Sequence, residues 1–371
     1  MSPTLSFRSA SGIALFWTVC FLVVAVSGAD PESPSPKTAD DTAVQHLIRQ
    51  LGSEDFEERE QAAKHLIARG PVVLKLLIVP SRSPDHEVAR LAKECIQKIE
   101  HNARVATWLH QIQAGKEENR QKASGQLILL GPQLAEVVPA LVELLDDPRV
   151  QVRETIAYIL ASAGPKAEVA LPKLLRILAD KIPGTDHLRM RVMEVLEKIG
   201  PPGRKAVPIL LQILESEGWE MKGYSAQGLA ALGQDDPRVG PALLKAISHD
   251  DIRVKGSAVA ALSWLRKEPE KVVPEIVQIL KTYPFKPNEM YIKRAFFRHL
   301  WNYGPLAEPA IPYLIEIWKD YKGDRTFQED AKMVLVAIGP AAHKAIPGLK
   351  ELGKNPSDFD FYELIKKLDG K

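Results

Sequence analysis

A proline that returns every 33–38 residues governs what this chain can fold into. Pro139, Pro172, Pro208, Pro241, Pro274, Pro312 and Pro347 follow one another at spacings of 33, 36, 33, 33, 38 and 35. Five of them stand seven residues after the proline of a Gly-Pro pair, at Gly131-Pro132, Gly164-Pro165, Gly200-Pro201, Gly304-Pro305 and Gly339-Pro340. For Pro241 and Pro274 the junction is filled by Gly233-Gln234 and Arg266-Lys267, and Gly70-Pro71 is an earlier, more divergent member. Four residues before each of these eight junctions stands a leucine: Leu66, Leu127, Leu160, Leu196, Leu229, Leu262, Leu300 and Leu335. A period of this length in 371 residues implies one repeating array, not two or three unrelated domains.

Each unit reads as two helices. Before a junction, apolar residues recur at helical spacing, as in Val152, Ile156, Ile159, Leu160 and Ala163, and the glycine supplies the C-terminal break. After it, segments such as Val137–Leu145 begin with a proline suited to a first helical turn, where its missing amide has no partner to lose. Such a pair is apolar on more than one side, so only stacking on its neighbours buries it. The expected fold is all-α, an α-solenoid.

The two-helix unit, its 33–38 spacing, the Asp-Pro-Arg-Val-Gln-Val-Arg run at Asp147–Arg153 and the Val-Pro-x-Leu-x-x-Leu-Leu second helix resemble HEAT repeats, particularly the bacterial type shared with phycobilisome-lyase-like proteins. The resemblance covers residues 43–354 as about nine units, counting 84–113 as a degenerate unit without a Gly-Pro junction. It implies a superhelical stack of armadillo-like helical repeats. HEAT arrays serve mostly as protein-binding scaffolds, and a few relatives are enzymes. Residues 355–371, with Phe361, Leu364, Ile365 and Leu368 at helical spacing, are expected to form a C-terminal capping helix.

Residues 13–26 are uncharged and mostly apolar, follow Arg8, and precede Ser27, Gly28 and Ala29. This is the pattern of a secretory signal peptide over 1–29, too short for a membrane span of about 20 residues. Cleavage is favoured over a retained anchor, and residues 30–42 read as a disordered spacer. The folded part is thus expected outside the cytoplasm, periplasmic or extracellular, with no membrane span after cleavage.

Composition narrows the function. With 49 Lys+Arg against 47 Asp+Glu the chain is near neutral, which argues against nucleic acid as a partner. Loss of the signal peptide leaves Cys95 as the single cysteine, so no internal disulfide or cysteine-rich metal site can form. The nine histidines are scattered, and only His86-Glu87 offers the His-Glu pairing used by di-iron HEAT enzymes resembling deoxyhypusine hydroxylase. No catalytic residue, metal ligand set, cofactor or small-molecule substrate is expected.

Three patterns remain as candidate sites. A basic residue stands eleven positions before seven of the junctions (Arg59, Arg120, Arg153, Arg189, Lys222, Lys255, Lys293), with Gln328 at the eighth. This ladder either grips an acidic partner or bonds acids in the preceding loops, such as Asp147, Asp186 and Asp251. Four residues after each helix proline lies a polar column, Glu143, Arg176, Gln212, Lys245, Gln278, Glu316 and Glu351. In repeats of this kind the second helices are expected to line the concave face, so this column, with Lys173, Glu275 and Tyr313, is either a partner-binding stripe or a solvated helix face. Finally, 11 of the 24 aromatic residues lie between Tyr283 and Phe327, and residues 281–300 hold five bases against one acid. Tyr283, Phe285, Lys286, Tyr291 and Arg294 are candidates there for contact with a protein or glycan, against the alternative of an enlarged local core.

The expectation is an exported, non-catalytic scaffold that engages a protein through a concave face. A modification-system component, lyase-like or metal-dependent, and a structural component of an envelope assembly are the alternatives.

Overall fold

The computed structural model describes residues 36–286, 289–320, 325–352 and 365–367, and these contain helices, turns and no strand. The signal peptide expected over 1–29 lies outside the described residues. Among the described residues no single helix is long and apolar enough to cross a membrane. The chain divides into two units, residues 1–123 and 124–371.

In the first unit, α1 (Pro36–Gln50) packs on α2 (Phe56–Arg69), which packs on α4 (His86–Ala114), with the one-turn helix α3 (Leu74–Leu77) between them in sequence. Their common core includes Val44, Leu51, Leu66, Leu77, Leu91, Cys95 and Ile99. Two expectations change here. Helix α1 already starts at Pro36, so 36–42 is not spacer: Pro36 suits a first turn, and Val44, Leu47 and Ile48 join the core at helical spacing. Residues 84–113 are not a two-helix unit, since nothing between His86 and Ala114 interrupts one 29-residue helix capped by Asp85. The Cys95 thiol is buried and pushed up to about 11 by desolvation, the state of a core residue and not of a nucleophile.

Helix α5 (Glu117–Ile128) runs through the division. The second unit then alternates second helices α6 (Leu134–Leu144), α8 (Leu171–Ala179), α10 (Val207–Ser216), α12 (Val239–Ile247), α14 (Pro269–Thr282), α16 (Ile311–Asp320) and α18 (Ile346–Leu352) with first helices. Those are α7 (Val150–Ala163), α9 (Asp186–Ile199), α11 (Trp219–Leu232), α13 (Ile252–Leu265), α15 (Met290–Tyr303) and α17 (Arg325–Ile338). Each first helix packs on the next, giving the two-row stack of a helical solenoid.

The periodic residues explain the joints. All six Gly-Pro glycines hold positive φ, from 55° at Gly131 to 82° at Gly200, and the prolines after them open 3-10 turns such as Gly164–Ala170 and Gly304–Ala310. Where arginine replaces glycine, Arg266 takes the same left-handed region at φ 52°, a conformation costly for a residue with a Cβ. The second proline sits in the first turn of α8 and α10, but Pro139 and Pro274 lie inside α6 and α14, because those helices start five residues earlier. All eight junction leucines have no exposed surface. The capping helix expected over 355–371 lies outside the described residues except for 365–367, which are helical.

Candidate functional site

Four of the seven bases of the ladder bond backbone carbonyls. Arg189 Nε donates to Leu178 O at 3.0 Å, and Lys222 Nζ to Leu214 O and Glu215 O, both at 2.8 Å. In the first unit Arg59 reaches Ser53 O at 2.8 Å and Arg120 reaches Gly115 O at 3.1 Å. These bases satisfy carbonyls left over where the preceding helix ends, where positive charge is also favoured. The loop acids expected as their partners mostly bond elsewhere: Asp147 holds Arg149 and Asp251 holds Arg253, while Asp186 lies 3.6 Å from Arg189. Arg189 also makes a two-pronged pair with Glu217 at 2.6 and 2.7 Å, both side chains buried.

Most charged residues of the second-helix column are paired with neighbours on adjacent second helices or the turns after them. Lys173 lies 2.7 Å from Asp146 and 3.4 Å from Glu143, and Arg176 bonds the same Asp146, joining α8 to the end of α6. Lys245 meets Glu215 at 2.9 Å across α12 and α10, and Lys281 meets Glu316 at 2.8 Å across α14 and α16. Hydrogen bonds from Lys173 hold the Asp146 carboxyl below its ordinary value, and Lys245 does so for Glu215. Gln212 and Gln278 are exposed and Glu275 is half-buried. Tyr313 is not on the open face: it is buried beneath Lys281, whose Nζ lies 5.4 Å from the ring centre.

The aromatic and basic segment separates into two parts. Tyr283 packs edge-on against Phe285 at 4.8 Å, Phe285 against Phe296 at 6.4 Å, and Lys293 Nζ sits 4.8 Å from the Phe327 ring. That part enlarges the local core, with Lys286 held at its edge through a backbone bond from its N–H to Glu289. Tyr291 instead is 70% exposed, and Arg294 forms a two-pronged pair with Asp330 of α17 at 2.8 and 3.2 Å. Both line an open hollow of about 430 Å³ between α15 and α17, floored by Phe297 and flanked by Arg298, Trp301, Met333 and Val334.

Helices α13, α15 and α17 pack directly on one another, whereas α14 meets the next repeat chiefly through the 3-10 turn Gly304–Ala310. The first helices thus form one packed row of residues 124–371, and the second helices, which carry Glu143, Arg176, Gln212, Lys245, Gln278 and Glu316, form the other.

The first-helix row carries a feature that the sequence reading passed over. Among the residues of 124–371 whose exposure is described, every exposed Trp or Tyr is on a first helix: Tyr158, Trp219, Tyr224, Trp264, Tyr291 and Trp301. Counted back from their junctions, Tyr291, Tyr224, Tyr158 and Trp264 stand at 13, 9, 6 and 2 residues, a run of helical steps that superposes them on one stripe. Superposing the repeats on their junctions would have found it. Arginines accompany the rings, with Arg253 3.5 Å above Trp219 and Arg191 5.7 Å from Tyr158.

His299, on the same row, packs edge-on against Phe296 at 6.2 Å with Nδ1 3.4 Å from Ser263 Oγ. Burial, and then the neighbouring Arg298, lower its pKa to about 4. Unfolded histidine takes up its proton near 6.5, so between pH 6.5 and 4 the unfolded chain gains a proton that the folded one refuses. Stability should fall as pH drops through that window, by on the order of 2 kcal/mol after allowing for the ring's partial exposure. The change in urea midpoint between pH 7 and pH 4 should shrink in His299→Gln; an equal change in both proteins would exclude this origin.

Among the described residues no group of three or more His, Cys, Asp or Glu could hold a metal ion. The sequence matches no curated protein. Residues 207–286, from α10 into the connection after α14, match the model of HEAT repeats. Among solved structures, the chain is similar to Kap121p at 14% identity with a TM-score of 0.51, covering 89% of this chain and 40% of Kap121p. Kap121p bound to the SUMO protease Ulp1p is similar at 13% identity and TM-score 0.51, over 92% of this chain and 43% of that one. A structure described as Kap95p binding RanGDP gives 12% identity and TM-score 0.51, over 91% and 52%. The chain thus spans about half or less of these neighbours, and at such identities the likeness is one of fold. The fold class is all-α, an α-solenoid, and within it residues 207–286 are similar to HEAT repeats.

Proposed function

We propose that this chain is an exported, non-catalytic scaffold that binds a protein partner through the first-helix face of residues 124–371. The observation that carries the reading is the confinement of all the described exposed Trp and Tyr side chains of that unit to one row. Trp, Tyr and Arg are the residue types that dominate binding energy at protein interfaces, and here they stand on packed helices, so little order remains to be lost on association. The charges of the second-helix column are exposed but mostly engaged in surface ion pairs. Similarity of fold to Kap121p, seen with Ulp1p and with the extreme C-terminus of Cdc14p, agrees with a protein partner. The signal-like residues 1–29 support export, and the Asp147–Arg153 start supports kinship with the bacterial phycobilisome-lyase-like type.

The test is a capture from the native organism with the tagged full chain as bait. Trp219→Ala/Trp264→Ala/Trp301→Ala should lose a discrete protein that the parent bait recovers, with an unchanged circular dichroism spectrum. Arg176→Glu/Lys245→Glu on the second helices should keep it. Loss in the second variant alone would move the partner to the other row. Recovery by all three baits would reject both faces.

A further inference from the structure

The hollow between α15 and α17 has a charge pattern that specifies what it can hold. Helices α13 and α15 together contain five bases, Arg253, Lys255, Lys293, Arg294 and Arg298, and no acid. The one carboxylate lining the hollow, Asp330, is 4% exposed and already bridged by Arg294 through two hydrogen bonds. It therefore presents little negative charge outward. Arg298 is exposed and, among the described residues, makes no hydrogen bond or ion pair, so its guanidinium is the open polar group of the site. Beside it Trp301 and Met333 stay about half exposed over a floor of Phe297. A volume near 430 Å³ suits one large side chain with a neighbouring polar group, not a whole folded domain.

We propose that this hollow seats an acidic segment of the partner protein, with one large apolar side chain against Trp301 and Met333 and an adjacent carboxylate on Arg298. The proposal rests on the scaffold reading above and specifies the chemistry its partner must present. A planar guanidinium beside the Trp301 ring suits a carboxylate held in two-pronged fashion, and Arg298 with the basic excess of α15 repels a basic segment over the same path.

The experiment uses the labelled full chain on an array of 12-residue peptides. Each has Leu, Phe or Trp at the centre, flanked by Asp/Glu, by Ser, or by Lys/Arg. The acidic set should be retained at least tenfold above the other two. Arg298→Glu should invert the preference toward Lys/Arg, Arg298→Gln should weaken it without inversion, and Trp301→Ala should lower retention of the acidic set about tenfold. Arg176→Glu, on a second helix, should change nothing. Because Arg298 is exposed, these variants should melt with the parent; if Arg298→Glu does not, the loss in Arg298→Gln decides. Equal retention of the three sets, an unchanged preference in both Arg298 variants, or displacement of acidic peptides by an oligo-dT strand would overturn the proposal. If the first-helix-face capture succeeds while the array shows no acidic preference, the scaffold stands and only the hollow falls. Failure of both removes the two together.

Discussion

Arg189→Leu is expected to lower the unfolding free energy by about 3–5 kcal/mol, the cost of breaking a buried ion pair from one side. Only 2% of the Arg189 side chain and 9% of the Glu217 side chain are exposed. Removing the guanidinium leaves the Glu217 carboxylate without its two strongest donors, and the carbonyl of Leu178 without the donor at 3.0 Å. Lys181, 3.7 Å from Glu217, cannot replace them without leaving Ser216 and the surface. The double variant Arg189→Leu/Glu217→Leu should recover much of the loss, since two apolar side chains leave one orphaned carbonyl in place of a buried charge. Urea midpoints of the four proteins measure this directly. A cost near zero for Arg189→Leu, or simple additivity in the double variant, would show that the pair contributes nothing specific.

The same pair has a pH signature with a definite sign. Hydrogen bonds from Arg189 hold the Glu217 carboxyl below its ordinary value. Its stabilisation is complete above the unfolded carboxylate pKa, near 4.3, and disappears as pH falls through the lower folded value. The difference between parent and Arg189→Leu should therefore be constant from pH 8 to 5 and close below about pH 4. His299 acts in a separate, higher window, so the two contributions can be resolved by titrating each variant.

How much of this was legible in the sequence depends on the range of the interaction concerned. Local rules were enough for the units: the junction glycines need positive φ, the prolines need first turns, and the leucine four residues before each junction must face the core. Tyr291 and Arg294 were marked by composition alone and do line the hollow. The ladder's chemistry was half legible, because spacing put the bases in the first turn but could not show that carbonyls at the end of the preceding helix receive Arg189 and Lys222. Which side chains of one repeat are covered by the next is set by the stack, which no single repeat encodes. That is why Tyr313 was counted as open although Lys281, one repeat earlier, covers it. Trp219, Trp264 and Trp301 went unmarked as a set because they lie in three different units, and only the stack brings them to one face.

Leu229→Ala should be the second large effect, and its form tests the repeat architecture as well as the core. Leu229 has no exposed surface, on a helix packed against α9, α10 and α13. Truncating a leucine in such a site typically costs about 3–5 kcal/mol, because the surroundings close only part of the cavity. Stability in a stack is a sum of unit and nearest-neighbour terms, so a defect at a central unit weakens the interfaces on both of its sides. The same change at Leu335, equally buried but on the last first helix described, has no such continuation beyond α18 among the described residues. Leu229→Ala should shift the main unfolding transition of residues 124–371 to lower urea. Leu335→Ala should instead split off a small early phase, and Val336→Ala, at an exposed position, should do neither. Native-state hydrogen exchange would follow the same division, with lost protection spread over α9 to α13 in the first variant and confined to α17 and α18 in the second. Identical, whole-unit shifts for Leu229→Ala and Leu335→Ala would mean that the unit unfolds as one globular block, and the nearest-neighbour account would be wrong.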